Sequence, residues 1–265
     1  MRRRLDAELV RRGLVRSRAR ATDEIAAGRV TVAGAPATSP ARLVDTAEPI
    51  DLAGAPEPYV SRGGHKLAAA LDGFAIEVRG RLALDAGAST GGFTDCLLQR
   101  GAAGVLAVDV GRGQLHWSLR SDPRVTVLDR TNVRDLTPAQ VGEQPSFCSA
   151  DLAFISLRTV APALIAVVAP DADFVLLVKP QFEAGRARVG RGGIVRDPQV
   201  HAAVLTEVIA GLDTAGLGII GLLASPLRGA GGNVEFLAHA RKGPLRIGTD
   251  EVEDVVASAH GGIAR

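Results

Sequence analysis

The chain has 265 residues, 46% hydrophobic and only 3% aromatic, with a formal net charge of +2. That length suits one domain of ordinary size plus a small appendage, with a core built from Ala, Val, Leu and Ile rather than from rings. A membrane span is excluded, because the longest apolar region, residues 160–178, is interrupted by Pro162, Pro170, Asp171 and Asp173, short of the ~18 uninterrupted apolar residues a span needs. The opening "MRRRLDAELV" is charged from its second residue, unlike a secretory leader, so a cytoplasmic protein is expected. Cys96 and Cys148 have neither metal-ligand nor disulfide-framework spacing and read as small core residues.

Charge is uneven along the chain. Residues 1–32 hold nine arginines against Asp6, Glu8, Asp23 and Glu24, an excess that points to a polyanion, and guanidinium groups suit bidentate phosphate contacts. Leu5, Leu9, Val10, Ala21 and Ile25 keep helical spacing, and "GRVTVAG" then alternates like a strand, with Gly28 as the helix stop. Arg4-Leu5-Asp6, Ser17-Arg18 and the run Ile25 to Val30 make this segment similar to the α-L RNA-binding domain of the ribosomal-protein-S4 type. The resemblance implies a small α+β domain over residues 1–55, with Arg3, Arg4, Arg16, Arg18 and Arg20 as RNA contacts. Arg62, just past the linker, is assigned with them.

"LAGAPEPYVSRGG" has little periodicity and much Gly, Pro and Ala, so residues 56–61 read as a linker and 62–265 as a second domain. There, short apolar runs ("RLALDAG", "GVLAVDVG", "RVTVLD", "FCSADL", "DFVLLVKP") alternate with helix-length segments. The alternation predicts an α/β fold with a doubly wound, mostly parallel sheet. "IIGLLASP" and "NVEFLAHA", split by "LRGAGG", predict an antiparallel hairpin that ends the sheet.

The stretch "LALDAGASTGGFTDCL" reads as a strand, a glycine-rich turn and a helix, the arrangement that presents backbone N–H groups to a polar ligand. A P-loop is excluded, since Phe93 and Thr94 follow the last glycine where Lys-Ser/Thr would be needed. Gly87-x-x-x-Gly91-Gly92 also departs from the Gly-x-Gly-x-x-Gly spacing of dinucleotide sites. Asp85 at the strand end repels phosphate and attracts a sulfonium, which favours S-adenosylmethionine. Asp109, ending the next strand, suits the ribose hydroxyls of an adenosine, and the Asn132 amide suits an adenine edge. The expected cofactor residues are Asp85, Gly87, Ser89, Thr90, Gly91, Gly92, Phe93, Asp109, Asn132 and Asp151.

The target atom is narrowed by what is missing. No Asn/Asp-Pro-Pro-aromatic motif for amino-nitrogen methylation occurs where "ADLAFISL" stands, and Cys148, inside a strand-like run, is poorly placed as the nucleophile for pyrimidine carbon methylation. Lys66, Asp151, Lys179 and Glu235 remain. Their order resembles the Lys-Asp-Lys-Glu tetrad of the ribose 2′-O-methyltransferases of the FtsJ-like superfamily. With "VSRGGHKL", "LDAGASTGGFTD", "ADLAFISL", "LVKPQFE" and "GNVEF", the whole chain resembles the TlyA (hemolysin A) family of ribosomal RNA cytidine 2′-O-methyltransferases. That family often carries a tryptophan in the linker, where this chain has Glu57-Pro58-Tyr59.

The resemblance implies a Rossmann-like class I methyltransferase fold and methylation of cytidine in 16S or 23S ribosomal RNA within ribosomal subunits, by a monomer that uses no metal. A ribose hydroxyl becomes a nucleophile as its proton leaves, and a lysine takes that proton when desolvation or a neighbouring cation favours its neutral amine. Lys179 is the expected base, Lys66 assists it, and Asp151 and Glu235 orient the two amines. The alternatives are a non-catalytic RNA-binding assembly factor that keeps the cofactor site, and a membrane-active protein, for which no amphipathic basic helix speaks.

Overall fold

The computed structural model describes residues 2–15, 17–54 and 57–261. Arg16, an expected RNA contact, lies outside them. The chain divides into two compact units, residues 1–58 and 59–265.

In the first unit β1 (Arg2–Arg4), α1 (Leu5–Arg11) and α2 (Arg18–Ala26) precede β2 (Val30–Val32), β3 (Ala35–Pro36), β4 (Leu43–Asp45) and β5 (Ile50–Leu52). β1 pairs with β4, and β2 lies between β3 and β5, all antiparallel. Ser17 caps α2 by accepting from the Arg20 N–H at 3.1 Å. Gly28 stops the helix with φ +70°, its N–H reaching the Ile25 carbonyl at 3.0 Å, the αL ending that glycine adopts without strain. Leu5, Leu9, Ala21, Ile25, Val30, Val32 and Val44 share one small core.

The second unit runs α3 (Gly63–Gly73), β6 (Leu82–Ala86), α4 (Gly92–Gln99), β7 (Gly104–Val108), α5 (Trp117–Arg120), β8 (Val125–Leu128), α6 (Pro138–Val141), β9 (Phe147–Ala150), α7 (Leu157–Val167), β10 (Asp173–Val178), α8 (Pro180–Glu183), α9 (Pro198–Thr214), β11 (Leu217–Ala224), β12 (Phe236–Lys242) and α10 (Thr249–Ala259). Its seven-stranded sheet has the order β11-β12-β10-β9-β6-β7-β8. β6 to β10 run parallel; β12 is antiparallel to both neighbours. The parallel strands are mostly apolar because both faces are covered, with Asp85 and Ser149 as buried exceptions near the site. Leu84, Leu106, Cys148, Phe174 and Leu176 join the core on one face. Ala83, Val105, Phe147, Val175 and Leu177 join the core under α3 and α4 on the other. Both cysteines are buried, and desolvation pushes the thiols up, to about 12 for Cys96.

One boundary differs from the sequence reading, and the sheet order adds a detail to it. Tyr59–Ser61, expected in the linker, belong to the second unit, where the Val60 N–H donates to Asp95 at 2.7 Å. The last two strands form the expected antiparallel pair, but β12 inserts between β10 and β11, so β11 is the sheet's edge. Among the described residues no helix is long and apolar enough to cross a membrane.

From β6 the chain winds outward through β7 and β8, then returns to β9 on the other side of β6. The reversal opens a crevice at the carboxyl ends of β6 and β9, where open α/β sheets bind ligands.

Candidate active site

The glycine turn occupies that crevice. Gly87 has φ +86°, and a Cβ there would strike the Asp151 backbone carbonyl and come 2.9 Å from Leu152, so only glycine lets the two strand ends meet. The N–H groups of Gly87 and Ala88 both donate to the Val108 carbonyl, at 2.8 and 3.1 Å. Ser89 and Thr90 are exposed at the tip of the turn. Gly91, at φ +98°, starts α4 with Leu119 and Leu115 packed where its Cβ would lie. A Cβ on Gly92 would meet Ser61 and, at 2.9 Å, the Gly64 nitrogen, so the first turns of α3 and α4 touch backbone to backbone.

The acids around the turn divide by environment. Asp109 is half-buried and accepts from the Ser89 N–H at 2.8 Å and the Gly111 N–H at 2.7 Å, which ties the first turn to the second. Asp85 is fully buried and accepts from the hydroxyls of Thr94 at 2.6 Å and Ser149 at 3.3 Å. Burial pushes its carboxyl up to about 7, opposed by the Thr94 hydrogen bond. The expectation that Asp85 meets a sulfonium directly is therefore corrected: its carboxyl lies beneath the turn and orients α4 through Thr94. Phe93 is likewise corrected from ligand contact to core, 3% exposed and packed over Gly63. Asn132 uses its side-chain oxygen to accept from the Arg134 N–H at 3.0 Å, capping a short 3-10 turn.

The four tetrad residues gather at one edge of the sheet. Asp151 follows β9 and Lys179 follows β10, both at carboxyl ends. β12 runs the other way with Phe236 opposite Val178, so Glu235, just before it, falls beside Lys179's end of β10. Lys179 Nζ lies 2.5 Å from Asp151 Oδ1. Lys66, in the first turn of α3, pairs with Glu235. The tetrad thus forms two ion pairs, each lysine matched to one carboxylate. Lys179–Asp151 is the more open, with side-chain exposures of 14% and 24% against 10% and 2% for Lys66–Glu235.

Sequence reasoning passed over two residues here. Glu183, buried at the end of α8, accepts from the Leu157 N–H at 2.7 Å and the Ser156 hydroxyl at 2.5 Å. It locks the loop that carries Asp151 to the segment that begins at Lys179; its place four residues after Lys179 in "KPQFE" was the available signal. Phe154 is 89% exposed at φ +63°, its ring 4.9 Å from Phe182, and Lys179 Nζ is 5.9 Å from the Phe182 centroid. A phenylalanine in the left-handed region and so exposed is strained and solvated at once, which marks a surface built for contact.

Of the described arginines expected to contact RNA, Arg3, Arg4, Arg18 and Arg62 are exposed and Arg20 is partly buried. Arg4 and Arg18 reach Asp6 at 3.0 and 2.8 Å, and with them holding its charge the Asp6 carboxyl sits well below the usual carboxylate range. Arg20 lies 2.6 Å from both Glu24 and Glu57.

A parallel sheet with an antiparallel strand inserted near its end, a glycine turn after the first strand and a carboxylate after the second define a Rossmann-like methyltransferase. The FtsJ-like methyltransferase family model matches residues 59–242, and the S4 domain model matches residues 3–50. The 16S/23S rRNA (cytidine-2′-O)-methyltransferase TlyA of Mycobacterium tuberculosis is 54% identical over 239 residues, 90% of this chain and 89% of that protein. Hemolysin A of Brachyspira hyodysenteriae is 40% identical over 89% of this chain and 98% of its own length. A solved Streptococcus thermophilus structure that carries a hemolysin name superposes with a TM-score of 0.79 at 41% identity, covering 98% of this chain and 96% of that one. The chain belongs to the TlyA family of FtsJ-like methyltransferases.

Proposed function

We propose that the chain methylates the ribose 2′-oxygen of cytidine in ribosomal RNA with S-adenosylmethionine, acting as a cytoplasmic monomer on ribosomal subunits. The observation that carries this is the pair of Lys–carboxylate contacts, Lys179–Asp151 and Lys66–Glu235, at the switch-point edge beside the glycine turn. The names of its relatives support the substrate.

The turn fits the cofactor. Gly87 and Gly91 let the turn pack tightly on Asp151, Leu115 and Leu119, Ser89 and Thr90 present the turn's exposed tip, and Asp109 provides acceptor oxygens for ribose hydroxyls. S-adenosylmethionine, when bound, supplies an electrophilic methyl group. The chain supplies the rest. Lys179 Nζ, the more open lysine, first releases its extra proton to solvent and then, as a neutral amine still hydrogen-bonded to Asp151, accepts the 2′-hydroxyl proton, while Asp151 fixes the direction of Nζ. Lys66 and Glu235, buried and paired, form a rigid wall that holds the hydroxyl in line. Phe154 offers its exposed ring to an unstacked base, the usual mode for single-stranded RNA. The S4 unit adds affinity through its exposed arginines.

Lys179→Ala tests the assignment. It should abolish methyl transfer while leaving cofactor and RNA affinities within a few-fold of wild type, since a base acts on the transition state. Transfer near the wild-type rate would reject Lys179 as the base.

A further inference from the structure

A second cationic site lies beside the tetrad. A cavity of about 260 Å³ opens between the loop before α9 and the glycine-rich turn before β12, lined by Ile194, Arg196, Arg228, Gly231, Val234 and His260 among others. Its lining contains no carboxylate. Among the described residues neither Arg196 nor Arg228 forms an ion pair, whereas nearby Arg188 is matched to Glu207 at 2.6 Å and Arg158 to Glu183 at 3.6 Å.

The walls are fixed by buried polar contacts. Asn233, 3% exposed, accepts from the Val195 N–H and donates to the Gly193 carbonyl, both at 3.0 Å, stitching the two loops together. His201, fully buried, contacts the Val195 carbonyl through Nε2 at 3.2 Å. A carbonyl only accepts, so His201 carries its proton on Nε2, and its Nδ1 accepts from His260 Nε2 at 2.9 Å. Arg228 donates to the Ala259 carbonyl at 3.0 Å, which anchors its guanidinium at the end of α10. Two guanidinium groups in one concave site attract an anion, and the planar guanidinium fork matches phosphate oxygens.

Val234 lines the cavity and Glu235 follows it directly, and Gly229, the neighbour of Arg228, packs against the Glu235 carboxylate, where a Cβ on it would strike Glu235 Oε1, so the loop that builds the cavity also backs the tetrad wall. We propose that this cavity is a phosphate subsite that holds a backbone phosphodiester of the RNA adjoining the methylated ribose. The subsite rests on the functional reading above. It extends the RNA footprint beyond the S4 unit and fixes the register of the strand at the tetrad.

The test uses the full chain with Arg196→Gln/Arg228→Gln, and Arg196→Lys/Arg228→Lys as a charge-preserving partner. Filter binding of transcribed ribosomal RNA is measured across a KCl series. Cofactor affinity and thermal midpoint serve as folding controls. With one phosphate no longer neutralised, the log–log salt slope should fall by about 0.7–0.9 and low-salt binding should weaken several-fold for the glutamine pair. The lysine pair should keep the slope while losing affinity. Inorganic phosphate, at ionic strength matched with KCl, should displace RNA from wild type and not from the glutamine pair. An unchanged slope and affinity in the glutamine pair overturns the subsite. Loss of phosphate sensitivity with RNA binding intact overturns it in favour of a free-phosphate site. Wild type that neither binds nor methylates ribosomal RNA defeats the functional reading, and the subsite with it, whereas a wild type that does both beside an unchanged variant defeats the subsite alone.

Discussion

Asp85→Asn isolates what holds the glycine turn. The Asp85 carboxyl is fully buried, and burial raises it from the ordinary 3.8 to about 7. Between those values the unfolded chain has released the proton and the folded chain still holds it, so stability falls as pH rises. At 1.36 kcal/mol per pH unit the penalty is absent below the unfolded value, grows through the interval and reaches about 4 kcal/mol above pH 7; about 3 kcal/mol of it falls between pH 5 and 7. Asparagine has nearly the same shape, cannot ionise, and finds hydroxyl partners in Thr94 and Ser149. The expected result is therefore a swing of about 3 kcal/mol in favour of the variant, relative to wild type, on going from pH 5 to pH 8. Urea unfolding followed by circular dichroism at both pH values measures it, and the wild-type-minus-variant difference cancels the other titrating groups. A difference constant to within ~1 kcal/mol would show that the carboxyl ionises normally, and would refute its burial beneath the turn.

Asp109→Ala removes the acceptor shared by the Ser89 and Gly111 N–H groups; calorimetric titration should show S-adenosylmethionine binding weakened by at least about tenfold, the ~1.5–3 kcal/mol of a hydrogen bond to a charged group, and equal affinity would remove Asp109 from the cofactor site. Deleting residues 1–58 should leave cofactor affinity within about threefold and make the salt dependence of RNA binding shallower by about 0.7–0.9 for each phosphate the S4 unit had neutralised, read by filter binding. Glu183→Ala leaves the buried Leu157 N–H without its acceptor and should cost about 1–3 kcal/mol of stability; steady-state kinetics should show a lower kcat with little change in KM for the cofactor, partly rescued by Glu183→Gln.

Much of this was legible in the sequence because period and local chemistry write it there. Continuous apolar runs gave the parallel strands, and Gly28, Gly87 and Gly91 stand where the backbone turns left-handed. The tetrad residues were identifiable from motif resemblance, but their partners were not: Lys66 and Glu235 are 169 positions apart, and only the antiparallel insertion of β12 beside β10 brings them together. Phe93 and Asp85 were misread for one reason. A residue at a ligand turn can face the ligand or the core beneath it, and sequence spacing does not separate the two faces of a one-turn stretch. Asn132 caps a short turn through its side-chain oxygen, a role asparagine often takes, while its amide NH2 is not used there. Arg196 and Arg228 sit in glycine-rich loops without periodicity, so nothing local announced that Asn233 draws those loops into one cavity.

The central claim is that the methyl group goes to a ribose oxygen. Ribosomal subunits that lack the modification are incubated with the protein and S-adenosylmethionine labelled on its methyl group, then digested to nucleosides and analysed by mass spectrometry. The tetrad geometry predicts label on cytidine, retained on the sugar fragment after glycosidic cleavage. Label on the base fragment would contradict it.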